Sequence, residues 1–265
     1  MLRKRLIFTL LFSDGYFVLS RNFRLQKVGN LDWLKKNYNF SKIAFSIDEL
    51  IVLDVSRGPK NASLFCEALK SISDGCFVPI AAGGGVRSVL DAHNLLRSGA
   101  DKVVVNTPLY GDQILINELA KNFGQQCIVG SVDLKSIEGV GFRLYSNSGT
   151  ESIEESTSSV LKEILDSSIG ELYLNSIDRD GTGQGYDLKM LDLLPPAVKK
   201  PVIIAGGVGN AKHLIEGLSD KRVDAAATAH LFNFVGDGLK HARQAVINSG
   251  LDLPIWNESL LINGT

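Results

Sequence analysis

The sequence predicts an α/β fold: a (β/α)8 TIM barrel assembled from two (β/α)4 half-barrel repeats. Three observations predict it. Eight short β-rich runs alternate with amphipathic helical windows. Several of the runs are apolar almost throughout, as parallel strands covered on both faces must be. The two halves also match at a constant offset of 122 residues. Pro79-Ile80 pairs with Pro201-Val202, Gly84-Gly85-Val86 with Gly206-Gly207-Val208, Glu49-Leu50 with Glu171-Leu172, and Arg57 with Arg179. A repeat this long is not a solenoid unit. A doubly wound sheet would also alternate strands and helices, but two equal halves closing on each other favour the barrel.

The first strand is expected at 6–12, an apolar run behind the basic residues 1–5. The pair imitates a signal peptide, but the run is short, and Ser13-Asp14-Gly15 reads as a turn rather than a cleavage pattern. The stretch 14–30 is long and partly polar, and is expected as a βα loop at the catalytic face, a candidate lid. Strand two is expected at 49–55, followed by a helix over 61–72 with Ala62, Phe65, Leu69 and Ile72 on one face. Strand three, 77–82, leads into Gly83-Gly84-Gly85 and a helix over 88–97, with Ser88 as N-cap and Gly99 as stop. Strand four, 102–106, precedes a helix over 112–123 that ends at Gly124. Strand five, 127–133, carries extra strand material at 141–147 that can pair as a hairpin, before a helix over 158–166. Strands six, seven and eight are expected at 171–177, 202–205 and 225–229. Asn210 caps the helix 211–218, and a last helix covers 239–247. One barrel domain therefore spans 1–250, with half-barrels at about 1–122 and 123–245 and a tail at 251–265.

Composition excludes several function classes. Charged residues make up 22%, the hydrophobic set 45%, and the net charge is -1. No bulk field favours nucleic acid or an acidic membrane. No apolar stretch reaches membrane-spanning length. The three cysteines, Cys66, Cys76 and Cys127, show no C-x-x-C spacing and sit in apolar patterns. They read as buried thiols of a cytoplasmic protein. None of His93, His213, His230 and His241 has ligand spacing with another, so neither a metal nor another cofactor is expected.

The residues that can carry chemistry cluster at strand ends. Gly84 and Gly85 let backbone amides approach an anion at a helix N-terminus, and Asn106 and Thr107 add donors beside them. Asp180, Gly181, Gly206, Gly207 and His230 form the equivalent set in the second half. The repeat thus predicts two phosphate sites on opposite sides of one mouth. Asp54, Asp133, Asp178 and Asp180 end strands, where a carboxylate can act as general acid or base. Asp133 is the foremost catalytic candidate. Its repeat partner is Leu11, which cannot transfer a proton; Asp14 and Asp54 are secondary candidates. At the other barrel end, Arg5, Glu49, Lys102 and Glu171 stand at strand starts, two cations and two anions. From spacing alone that ring reads as stabilising pairing.

The motifs at 48–54, GGGVRS at 83–88, GADKVVVN at 99–106, SIDRDGTGQGYDL at 176–188 and AGGVG at 205–209 resemble the HisF family. The likeness runs from residue 1 to about 250. HisF is the cyclase subunit of imidazole glycerol phosphate synthase; the sister isomerase HisA matches these motifs less well. The resemblance implies a lyase-type synthase subunit with a glutaminase partner under the barrel. Ammonia would pass a charged gate at Arg5, Glu49, Lys102 and Glu171 and reach a phosphorylated small molecule at the top. Asp101 would face the glutaminase, and the glycine clusters would bind phosphate.

The sequence departs from the family at the top face. Leu11 stands where the family has its strand-one aspartate, Leu19 where it has a lysine, and His230 and Ala205 where it has small hydroxyl residues. Losing one proton-transfer group removes about 10²–10⁴-fold of rate. The chain therefore resembles HisF-like paralogues that act with a glutaminase and a third amidotransferase-like protein in surface-polysaccharide (lipopolysaccharide O-antigen) pathways. There an N-acetyl group of a nucleotide sugar becomes an acetamidino group. Two further readings stand beside this one: a true cyclase of histidine biosynthesis and a non-catalytic scaffold for the glutaminase.

Overall fold

The computed structural model describes residues 3–38, 40–229 and 238–256. Twelve strands are described: β1 (Arg5–Ser13), β2 (Tyr16–Arg21), β3 (Arg24–Gly29), β4 (Glu49–Asp54), β5 (Ile80–Gly83), β6 (Lys102–Val105), β7 (Ile128–Ile137), β8 (Gly141–Ser146), β9 (Glu151–Ser152), β10 (Glu171–Ser176), β11 (Val202–Ala205) and β12 (Ala225–Thr228). Eight of them close a parallel ring in the order β1-β4-β5-β6-β7-β10-β11-β12, with β12 pairing back onto β1. The fold is the (β/α)8 barrel that the alternation and the repeat predict.

The helices are α1 (Leu31–Asn37), α2 (Phe40–Ile43), α3 (Ala62–Ser73), α4 (Val89–Arg97), α5 (Gln113–Phe123), α6 (Thr157–Asp166), α7 (Ala211–Ser219) and α8 (Gly238–Asn248). Several of their starts are set by short polar side chains that satisfy free helix amides. Asn61 accepts from Leu64 N, Ser88 from Asp91 N, Asp112 from Leu115 N and Asn210 from Lys212 N. Asp91 in turn accepts from Arg87 N and Ser88 Oγ. None of the helices in the described residues is long and apolar enough to cross a membrane.

Alternation along the strands divides the core in two. Outward side chains such as Leu6, Phe8, Leu50, Val52, Leu172 and Leu174 pack under the helices. Inward ones, Ile7, Ile51, Ala81, Val104, Val129, Tyr173, Ile203, Ala205, Ala225 and Ala227, fill the barrel axis. Three short strand-start residues stitch the bottom. Asp48 Oδ2 accepts Leu6 N, Asp101 Oδ2 accepts Ile80 N, and Asp224 Oδ2 accepts Val202 N, each at 2.8 or 2.9 Å. The last two are repeat-related, so the symmetry extends to side-chain bonds.

Four expectations are corrected. Residues 14–30 are not a loop but the antiparallel hairpin β2-β3 laid on β1. Asp14-Gly15 at φ 50 and 84° makes the turn into it, which is the Asp-Gly hairpin signal. Strand three begins at Ile80 rather than 77, because Pro79 lacks an amide and Phe77 is turned half out to solvent. Strand five runs on to Ile137, since β8 pairs with its extension. Of the cysteines only Cys127 is buried; Cys66 and Cys76 are half-covered, and all three are free thiols. In the tail, the described residues 251–256 lie against the barrel bottom: Asp252 O accepts Lys4 N, and Trp256 Nε1 donates to Asp48.

Candidate active site

Eight parallel strands end at one mouth, which encloses a cavity of about 390 Å3. Asp133 on β7 stands in its wall. By register it lies directly opposite Asn175 on β10. Asn175 Nδ2 donates to Asp133 Oδ1 at 2.9 Å, and Asn106 Nδ2 donates to Oδ2 at 3.2 Å. Burial pushes the Asp133 carboxyl up to about 7; the Asn175 bond resists that rise, nearby Asp180 adds to it, and the Asn106 bond resists it. A group with that pKa exchanges protons at neutral pH.

Leu11 also lines the cavity, paired with Val18 and Leu53, and presents only carbon there. The two secondary carboxylates are placed differently. Asp14 sits exposed in the β1-β2 turn, where it accepts from Ser13 Oγ, and is not part of the cavity wall. Asp54 lines the cavity but is already bonded by Ser56 N, Ser56 Oγ and Lys60, the last at 3.4 Å. Asp180 is bonded by Ser20 Oγ at 2.5 Å and Phe23 N at 3.1 Å. Burial raises its carboxyl, and those two bonds oppose the rise. Through them the hairpin β2-β3 is tied across the mouth, and Arg57 Nη2 holds its other side by donating to Phe23 O.

Gly84, Gly85, Asn106 and Thr107 line one side of the cavity; Asp180, Gly181, Gly206 and Gly207 line the other. All five glycines have positive φ. At Gly84 a Cβ would fall 2.1 Å from Asp54 O, and at Gly207 the same distance from Gly185 O. Only glycine fits, and the backbone is left open toward the cavity. His230 lies outside the described residues.

The opposite end of the axis is a closed ring. Arg5 bridges Glu49 and Glu171, each at 2.8 Å; Lys102 bridges the same two at 3.0 and 2.7 Å. Burial raises the Glu49 carboxyl despite both cations. Glu171, also opposed by burial, is held below its usual range by Arg5 and Lys102. Between ring and cavity the axis is filled by the inward layer of Ile7, Ile51, Ala81, Val129, Ile203 and Ala225. The cavity floor is Thr9, Val104, Tyr173, Ala205 and Ala227. Tyr173 is the largest inward side chain, and the alanines of β11 and β12 leave room for its ring. Asp101 lies at the bottom face beside the ring, exposed, with its carboxylate tied to Ile80 N.

Sequence reasoning overlooked Asn175, Tyr173 and Lys60 at the mouth and the bottom network around Asp48. Asn175 was readable: it precedes Ser176-Ile177-Asp178 by alternation on the face of Glu171. Arg243 was not, since nothing in a helix sequence signals a partner 195 residues away.

The sequence matches the profile of the histidine biosynthesis protein family over residues 29–236. It is 44% identical over 257 residues to a Parasynechococcus marenigrum protein named "Putative imidazole glycerol phosphate synthase subunit hisF2". That alignment covers 97% of this chain and 95% of the relative. It is 34% identical over 252 residues to the imidazole glycerol phosphate synthase subunit HisF of Chlorobaculum tepidum, covering 95% and 98% of the two chains.

Proposed function

The chain belongs to the histidine biosynthesis protein family as a HisF-like member, and from that premise we propose that it is the cytoplasmic synthase subunit of a glutamine amidotransferase. A glutaminase docks under the barrel, near Asp101 and the ring of Arg5, Glu49, Lys102 and Glu171. Ammonia enters when the ring opens, moves up the axis and reaches a phosphorylated acceptor held by the two glycine cradles. Asp133 serves as the proton-transfer group there. The acceptor is a nucleotide sugar whose N-acetyl group becomes an acetamidino group, with a third amidotransferase-like protein completing the system.

One observation carries the reading: the four ring residues are all present and mutually paired, while Leu11 faces the cavity that Asp133 lines. The retained ring favours a conduit, which requires the packed layer of Ile7, Ile51, Ala81, Val129, Ile203 and Ala225 above it to yield as the ring opens; the carbon surface of Leu11 disfavours two-carboxylate cyclase chemistry. Neither Asp14, outside the cavity wall, nor Asp54, bonded to Ser56 and Lys60, supplies a free second acid. The names of the two relatives favour the second reading, a genuine cyclase subunit of imidazole glycerol phosphate synthase. An assay with the ribulosyl formimino cyclase substrate and ammonium salt separates the two. The proposal expects no turnover above about one hundredth of an ordinary HisF rate; turnover near that rate establishes the cyclase.

A further inference from the structure

The middle of the barrel axis carries three hydroxyls that the proposed chemistry leaves unused. Thr9 on β1 and Ser131 on β7 are related by the 122-residue repeat, as Leu11 and Asp133 are. β1 and β7 lie four strands apart in the ring of eight, so the pair stands on opposite sides of the axis. Both residues are buried and both line the cavity. By alternation they sit one inward step above Ile7 and Val129 of the apolar layer and one below Leu11 and Asp133. The third hydroxyl breaks the symmetry. Tyr173 on β10 lies in direct register with Ser131, whereas its repeat counterpart is Ile51, which offers only carbon. Tyr173 shares its strand face with Glu171 of the ring and with Asn175, the partner of Asp133.

These hydroxyls do not satisfy one another. Thr9 is 2% exposed, and its Oγ1 is buried without a hydrogen-bond partner among the described residues. The Tyr173 hydroxyl approaches Thr9 but does not close a bond with it. Burial raises the Tyr173 hydroxyl above its ordinary value, Thr9 resists that rise, and Asp133 and Asp180 add to it, so this group keeps its proton. A buried hydroxyl left unpaired is costly, and native structures pair nearly all of them. The other floor residues, Val104, Ala205 and Ala227, are uncharged, so nothing at this height holds an ion. What fits is a small neutral molecule that donates to Thr9 and Ser131 and accepts from Tyr173. We propose that Thr9, Ser131 and Tyr173 form a binding site for one molecule of neutral ammonia at the foot of the cavity, one strand step beneath Asp133. Thr9 Oγ1 and Ser131 Oγ accept its N–H bonds. The Tyr173 ring faces alanines and has room to turn and admit it. This deepens the proposed function and rests on it for the source of the ammonia, although the site itself can also be filled from the mouth.

Carbon-13 labelling of the tyrosine Cζ atoms tests it by nuclear magnetic resonance, on the whole chain without glutaminase or acceptor. Tyr173→Phe assigns the Tyr173 signal among the six tyrosines. In mildly alkaline buffer, ammonium chloride is expected to shift that signal saturably. Potassium chloride and trimethylammonium chloride are expected to leave it unmoved, since neither potassium nor trimethylamine has an N–H bond to donate. Thr9→Val removes the hydroxyl and keeps the shape; it is expected to raise the half-saturating ammonium concentration about 3–10-fold, and Ser131→Ala to do the same. Circular dichroism melts separate lost binding from lost folding, and either variant serves should the other not fold. A Tyr173 signal that ammonium does not move, a shift that potassium reproduces, or unchanged half-saturation in a folded variant overturns the proposal. Since no glutaminase is present, failure here leaves the conduit reading standing, and failure of the conduit leaves this result standing.

Discussion

Asn175 Nδ2 lies 2.9 Å from Asp133 Oδ1, the two residues facing each other across β7 and β10 in direct register. The bond favours the charged carboxylate and so restrains a pKa that burial has carried to about 7. Asn175→Leu removes that restraint. The pKa of Asp133 is expected to rise by roughly 0.5–1 unit, as the loss of one hydrogen bond to a carboxylate implies. Carbon-13 detected titration of the aspartate carboxyls checks it; an unmoved or lowered midpoint refutes it.

The same raised pKa makes a stability prediction of definite sign. Between about pH 4 and pH 7 the folded protein binds a proton at Asp133 that the unfolded chain has lost. Stability from this group is therefore greatest at low pH, declines as pH rises through that window and is flat above it. Asp133→Asn removes the buried charge. The variant is expected to be more stable than the parent at pH 8, on the order of 2 kcal/mol, with the gain shrinking toward pH 4. Denaturant melts at the two pH values read it. A variant less stable at pH 8 than at pH 4 relative to the parent contradicts the buried-acid account.

Under the barrel, Arg243 of α8 makes a bidentate pair with Asp48 at 2.9 and 2.8 Å, both residues buried. Asp48 also receives Leu6 N and Trp256 Nε1, and Arg243 donates to Pro254 O. Arg243→Ala leaves a buried carboxylate half-paired and is expected to cost about 3–5 kcal/mol. Thermal unfolding should show a drop on the order of 10 °C. A loss below about 1 kcal/mol would mean the network adds order but little stability.

The cradles give a prediction with an internal control. Gly84→Ala and Gly207→Ala each force a Cβ onto a backbone oxygen at 2.1 Å, in a left-handed backbone region. Gly58→Ala, with nothing within 4 Å, meets no such obstacle. The first two should lower the melting temperature by more than 3 °C and weaken phosphate binding, and Gly58→Ala should do neither. Equal behaviour of all three would show that the cradle backbone yields.

Much of this was legible in the sequence, for physical reasons that differ by residue. Strands that are apolar on both faces, capping residues such as Ser88 and Asn210, and a repeat that doubles Gly84-Gly85 are local signals, and local signals survive in one dimension. The ring of Arg5, Glu49, Lys102 and Glu171 was visible as charges at strand starts, but its closure depends on four strands meeting around an axis. Tyr173 and Lys60 were missed because their meaning lies in what faces them: alanines across the barrel, and Asp54 across a turn. The hairpin β2-β3 was misread although Asp14-Gly15 announced it, because the polar residues Arg21, Asn22 and Arg24 resemble a loop until Asp180, far along the chain, is seen to accept from Ser20 Oγ, Asn22 N and Phe23 N.

The central claim is that nitrogen released under the barrel travels through its axis to the mouth. The direct measurement is the isotope content of the product formed by the chain with its glutaminase, using amide-15N glutamine in the presence of excess unlabelled ammonium. A conduit predicts product that keeps most of the 15N, and product diluted toward the bulk ammonium when Lys102→Ala opens the ring to solvent. Complete dilution with the unaltered chain would contradict the account.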